Sequence, residues 1–129
     1  MSDKPEVKVL EIGFVVYSVK DVERARKFYE GTLGLKETSF FGEGDMSWIE
    51  YDIGPGTLAI ACGVPGSKPS PNGGQVALEV ENFDSAVQRI KEDGATIVHG
   101  PMETPVCQML IIRDPDDNTL IIHKRKAGC

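Results

Sequence analysis

A chain of 129 residues has room for one domain, since domains cluster near roughly 100–150 residues, and this excludes a multidomain enzyme with a separate cofactor domain. Hydrophobic residues make up 40% and charged residues 26%, an ordinary globular balance, and the short apolar runs exclude a transmembrane helix. Lys and Arg number 14 against 20 Asp and Glu, a net charge of −6 that repels nucleic-acid phosphates and anionic membranes, so neither partner is expected. The opening MSDKPEVKVL mixes both charge signs and lacks the apolar stretch of a secretion signal, which gives the cytoplasm as the expected location. The cysteines Cys62, Cys107 and Cys129 are odd in number, widely spaced and without a CxxC, a pattern that argues against a disulfide scaffold or structural zinc.

In chain order, Val9 to Val19 is an apolar, β-branched run and predicts a strand buried on both faces. A helix follows, with Val22, Ala25, Phe28, Tyr29 and Leu33 on one face, Asp21 as its N-cap and Gly34 at its end. Strands are predicted over Leu35 to Phe40, Met46 to Ile53 and Thr57 to Cys62, with turns at Gly42, Gly44 and Gly54-Pro55-Gly56. Residues 63–74 hold three Pro and four Gly without any period and read as a linker. The same order then returns. A strand at Gln75 to Val80 leads into a helix with Phe83, Ala86, Val87 and Ile90 on one face, stopped at Gly94. Strands at Ala95 to Val98, Val106 to Arg113 and Asn118 to His123 complete it, and the basic cluster His123, Lys124, Arg125, Lys126 reads as a solvated tail. A shift of 61 puts Phe14 on Gln75, Val22 on Phe83, Ala25 on Ala86 and Tyr29 on Ile90. The chain is therefore an internal repeat: a single domain over 1–129, with one βαβββ module over 9–62, the linker over 63–74 and a second module over 75–126.

Two segments in the first half, Phe14-Val-Val-Tyr-Ser-Val-Lys-Asp-Val22 and Lys27-Phe-Tyr-Glu-Gly-Thr-Leu-Gly-Leu35, carry a resemblance, as do Gly74-Gln-Val-Ala-Leu-Glu-Val80 and Arg113-Asp-Pro-Asp-Asp-Asn-Thr-Leu120 in the second. Together they resemble the vicinal oxygen chelate superfamily, which contains glyoxalase I, extradiol dioxygenases and bleomycin resistance proteins. The resemblance implies an α+β fold of two βαβββ modules, each a curved mixed sheet, jointly enclosing a ligand cavity, usually in a homodimer. It does not imply a reaction, because resistance proteins, lyases, epimerases and oxygenases share the fold.

Strand alternation selects the cavity residues. In the first strand Val15, Tyr17 and Val19 pack on the helix, leaving Phe14, Val16 and Ser18 on the concave side; in the fifth, Val76, Leu78 and Val80 pack inward and Gln75, Ala77 and Glu79 face the cavity. The same parity offers Trp48, Glu50 and Asp52 on the third strand and Ile121 and His123 on the last. Metal-dependent members place a His, Gln or Glu on the first strand and a carboxylate on the last strand of each module. Those positions fall on Phe14, on Ala59 or Ile60, on Gln75 and on Ile121, of which only Gln75 has a donor atom. A lone amide oxygen cannot hold a catalytic ion that wants at least three protein ligands, so no metal and no cofactor are expected. The family's DPDGN turn has Asp117 in place of its Gly, a change expected to alter the turn alone.

Other residues invite chemistry. His123, two positions beyond Ile121, could serve as a base or a substitute ligand, although an exposed structural role beside the charged tail is the plainer reading. Cys107 could line the pocket, and its plainer reading is a buried inert thiol. Glu79 and Glu50 are candidate cavity acids or bases. The favoured expectation is a metal-independent small-molecule-binding protein that holds a planar or cationic ligand against Phe14, Trp48, Glu50, Gln75, Glu79, Cys107, Ile121 and His123. The alternative is a lyase, isomerase or dioxygenase of the same superfamily acting on a small metabolite.

Overall fold

The computed structural model describes residues 5, 10–65 and 67–126, so Val9 and Cys129 lie outside the described residues. The first half is built of β1 (Val15–Ser18), α1 (Val22–Arg26) continued by a π-helical turn over Lys27–Thr32, β2 (Ser39–Glu43), β3 (Met46–Ile53) and β4 (Gly56–Cys62). The second is built of β5 (Val76–Glu79), α2 (Phe83–Glu92), β6 (Thr96–Glu103), β7 (Cys107–Arg113) and β8 (Thr119–Arg125). Each half folds into a four-stranded mixed sheet, in the orders β1-β4-β3-β2 and β5-β8-β7-β6. First and last strands pair in parallel and the others antiparallel. The result is an α+β fold of two βαβββ modules, and neither sheet closes into a barrel.

The shift of 61 survives in three dimensions: β1 maps onto β5 and the start of α1 onto the start of α2. Both helices begin on a short polar side chain, because a cap must take up an amide that the first turn leaves unpaired. Asp21 Oδ1 accepts from Arg24 N at 3.1 Å and Asn82 Oδ1 from Ser85 N at 3.0 Å. Both helical segments end at a glycine with positive φ, 72° at Gly34 and 73° at Gly94, a conformation a Cβ would strain. The modules diverge inside the helix. The bond from Leu33 N to Phe28 O, at 2.9 Å, spans five residues and widens the last turn of the first helix, where α2 stays regular.

One core serves both modules. Tyr17, Val19, Ala25, Phe28, Tyr29, Ile49, Tyr51, Leu58 and Ile60 join Phe83, Val87, Ile90, Leu110, Ile112, Leu120 and Ile122 in a single buried cluster. Polar clasps cross it. Tyr17 Oη donates to Thr119 O at 2.8 Å and accepts from Val76 N at 2.7 Å, so one hydroxyl joins the starts of β1, β5 and β8. Tyr29 Oη donates to Asp114 Oδ2 at 2.9 Å. Asp114, only 2% exposed, also accepts from Asn118 Nδ2, Asn118 N and Asp116 N at 2.8–2.9 Å. Asn118 Nδ2 reaches back to Ser18 O at 2.7 Å, and Arg24 pairs with Asp116. The Asp114-Pro-Asp turn of the second module thus clamps the first. Asp117 takes up φ of 65°, the left-handed conformation that a glycine would ordinarily supply.

Several sequence expectations are corrected. The first strand begins only at Val15, because its parallel partner β4 offers register from Leu58 to Ala61 and no earlier. Nor is it buried on both faces: Phe14 is 50% and Val16 41% exposed. The second strand lies at Ser39–Glu43 rather than Leu35 to Phe40, so Gly42 is a strand residue, and the turn falls at Gly44, with φ of 59°. The sixth runs on to Glu103, past Val98. His123, Lys124 and Arg125 are no solvated tail, since they form the end of β8, and Lys126 pairs with Glu103 at 3.2 Å.

Candidate functional site

Cross-strand register fixes what shares the open face of each sheet, the face turned away from the core. In the first module Val16, Ala59 and Glu50 form one row and Ser18, Ala61 and Trp48 the next. Ala59 therefore stands on the open face and Ile60 in the core, which resolves the ambiguity in the ligand position. Phe14 meets Trp48 edge to face, with ring centroids 5.3 Å apart and planes at 87°, the arrangement that the ring quadrupoles favour. Trp48 Nε1 in turn donates to Glu50 Oε2 at 2.9 Å. A carboxylate thus sits at the edge of an aromatic pair in which Phe14 is half exposed and Trp48 partly buried. Asp52, on the same face, accepts from Thr57 Oγ1 at 2.9 Å.

The open face of the second module is chemically different. Ala77, Ile121, Ile111 and His99 form one row, and Glu79, His123, Met109 and Met102 the next. His123 Nδ1 lies 2.5 Å from Glu79 Oε1, and the amide of Arg125 donates to Glu79 Oε2 at 2.6 Å. These two bonds, the imidazole first and the amide second, hold the Glu79 carboxyl below the usual carboxylate range. Cys107 is buried on the same face, its thiol 3.2 Å from Thr104 Oγ1, so it is engaged locally. Gln75 is exposed at the entry to β5, beside the amide that Tyr17 holds.

The eight residues singled out by sequence therefore fall into two groups. Phe14, Trp48 and Glu50 stand together on one module; Glu79, His123, Ile121 and Cys107 stand on the other, with Gln75 at its edge. Among the described residues no hydrogen bond or ion pair joins the groups within the chain. Between the modules runs an apolar cleft of about 280 Å³, lined by Ile12, Phe14, Ile53, Thr57, Val76 and Ala77 among others. Sequence reasoning missed Met109, Ile111 and Met102, although alternation along β7, with Leu110 and Ile112 buried, was enough to find the first two.

The residues present do not fit the divalent ion of the metal-dependent family. Phe14, Ala59 and Ile121 carry no donor atom, and among the described residues no group of three His, Cys, Asp or Glu side chains converges for a metal.

Residues 11–122 match the model of the Glyoxalase/Bleomycin resistance protein/Dioxygenase superfamily. A lactoylglutathione lyase of Salmonella typhimurium is 29% identical over 121 residues, covering 85% of this chain and 90% of its own length. Among solved structures, TnmS3, an antibiotic binding protein from Streptomyces sp. CB03234, superposes with a TM-score of 0.77 at 20% identity, covering 94% of this chain and all (100%) of its own. FosX, a fosfomycin resistance protein from Listeria monocytogenes, superposes at 0.74 and 17% identity, with coverage of 93% and 97%. At these identities the structural likeness speaks for the fold alone. With the family match spanning both modules, the chain belongs to the Glyoxalase/Bleomycin resistance protein/Dioxygenase superfamily.

Proposed function

We propose that the protein is a metal-independent small-molecule-binding member of the superfamily, which holds a planar or cationic ligand on its open sheet faces and works as a symmetric homodimer in the cytoplasm. One observation carries the reading. Where metal-dependent members need donor atoms, this chain has a phenyl ring and two aliphatic side chains, and the phenyl ring is half exposed against Trp48. Surfaces of this kind stack on planar ligands, and Glu50 beside the Trp48 ring adds the negative charge that favours a cation. Glu79, whose two oxygens are both engaged, is the poorer partner for a free cation.

A partner subunit in that dimer would cover some of the exposed apolar side chains, which include Phe14, Val16, Phe40, Phe41, Val98 and Val106. Cys62 and Cys107 are free thiols, in keeping with a reducing compartment. Among the described residues no helix is long and apolar enough to cross a membrane.

Calorimetry with N-methylquinolinium and its neutral isostere 1-methylnaphthalene tests the reading. The cation is expected to bind more tightly by about 0.5–2 kcal/mol. Glu50→Gln removes that preference, and Trp48→Ala weakens both ligands by about 0.5–1.5 kcal/mol. Failure of both ligands to bind, or one equivalent of nickel, zinc, iron or manganese on the purified protein, would overturn it.

A further inference from the structure

The pair formed by Glu79 and His123 does more than its place in the fold requires. The strands it links are already joined by their parallel ladder and by the bond from Val80 N to His123 O at 2.9 Å. The pair stands on the open face, and its geometry has a polarity. An ionised carboxylate only accepts, so the imidazole hydrogen is on Nδ1, directed at Glu79 Oε1. The second carboxylate oxygen is pinned by the Arg125 amide, which stops the carboxylate from turning away. A neutral imidazole protonated on Nδ1 has its lone pair on Nε2. Among the described residues no hydrogen bond engages that atom, and the side chain is 22% exposed. Its neighbours across the sheet are the thioethers of Met109 and Met102, with Ile121 and Ile111 in the adjoining row. His123 Nε2 is thus a fixed acceptor beside apolar side chains, on a face that also carries His99, Arg125 and the half-exposed Glu79 carboxylate.

From this arrangement we infer that His123 is a specificity-determining residue: Nε2 accepts the hydroxyl hydrogen of a phenol-like ligand whose ring lies on the Met109 and Ile121 surface, while Glu79 holds the tautomer. The inference rests on the small-molecule-binding reading above and names its ligand class. A metal is a poor alternative, because a single imidazole nitrogen is one ligand where about three are needed. A free cation is equally poor, because both oxygens of the Glu79 carboxylate already hold donors. Soft, polarisable thioethers and aliphatic carbons suit an aromatic ring, and only an O–H or N–H donor completes the imidazole. Binding makes and breaks no covalent bond; the hydroxyl hydrogen stays on the ligand and is shared with Nε2.

The probes are 3-nitrophenol, which stays largely protonated at neutral pH, and its methyl ether 3-nitroanisole, which has the same ring and no donor. Wild-type protein is expected to bind the phenol about tenfold more tightly than the ether, the effect of one hydrogen bond to an otherwise unpaired acceptor. The absorption of the bound phenol should move to longer wavelength, as it does on hydrogen bonding to a base. His123→Phe should bring the phenol down to the affinity of the ether and abolish the spectral displacement. Glu79→Gln, which keeps the shape and loses the fixed tautomer, should leave a preference of only a few-fold. His123→Leu, which likewise has no acceptor, provides a second variant if the first fails to fold, as judged by circular dichroism. Binding of both probes with equal affinity, or a preference that survives at position 123, overturns the inference and leaves the binding reading standing. Binding of neither probe overturns the inference as well, and the binding reading is then decided by the quinolinium pair alone.

Discussion

The two modules share a strand order, a helix cap and an offset of 61 residues, yet they divide the labour of the molecule unequally. The first exposes an aromatic pair, Phe14 and Trp48, and closes β3 to β4 with a plain Gly54-Pro55-Gly56 turn. The second exposes an imidazole backed by a carboxylate, and its corresponding turn, Asp114 to Asn118, reaches across to bind Tyr29, Ser18, Lys20 and Arg24 of its sibling. Duplication therefore gave one architecture two chemistries, and two buried phenols of the first module, Tyr17 and Tyr29, end on the second, while Tyr51 stays with Glu30 of its own.

The largest effect expected from this asymmetry is at Asp114. Asp114→Ala strands the Tyr29 hydroxyl, two backbone amides and the Asn118 amide, and should cost about 3–5 kcal/mol of stability. Urea unfolding checks it, and Trp48, the only tryptophan of the sequence, reports on the first module. The fluorescence and circular dichroism transitions should move together; a Trp48 transition that stays in place would show that the first module stands alone. A smaller loss, about 1–3 kcal/mol, is expected of Tyr17→Phe, which leaves Val76 N and Thr119 O without a partner at the module junction.

The smallest effects are in the pH dependence, where two carboxylates of the second module oppose one another. Burial pushes the Asp114 carboxyl up from its ordinary 3.8, so the folded state holds that proton more tightly than the unfolded chain. Its contribution favours the fold below that ordinary value and is lost as the pH rises through the raised pKa. Glu79 works in the opposite sense. Held down by His123 and the Arg125 amide, it stabilises above its ordinary 4.5, and this is lost as the pH falls through the lowered value. Denaturation midpoints followed from about pH 7 downward should therefore show Glu79→Gln losing less on acidification than wild type, and Asp114→Asn losing more. Parallel profiles for all three proteins would remove this part of the contrast.

What the sequence made legible was whatever repeats within one element. Alternation placed Phe14, Trp48, Glu50, Glu79 and His123 on the open faces, because a strand has a period of two and Tyr17, Ile49, Tyr51, Leu120 and Ile122 are apolar on the other side. Helix caps and glycine stops were legible for the same local reason. Pairings between elements were hidden. Glu79 meets His123 across 44 residues through a parallel register that no local pattern encodes, and the apolar run at the N-terminal side of Val15 gave no sign that β4 offers it no partner. Lys124 and Arg125 read as a tail because charge masks the alternation that continues beneath it. That the candidate residues divide between two open faces follows from how the modules lie together, which is a property of the core they share.

The clasp between Tyr29 and Asp114 bears on how the chain is made. A ribosome adds about 5–20 residues each second, so the acceptor for this hydroxyl is added about 4–17 s after the tyrosine, from which it is 85 residues away. β2 to β4 are completed early in that interval, yet burying the phenol before its acceptor is made would cost about 1–3 kcal/mol. Until the later turn arrives the first half lacks the acceptor for its buried phenol, so this clasp closes only once most of the second module has been made.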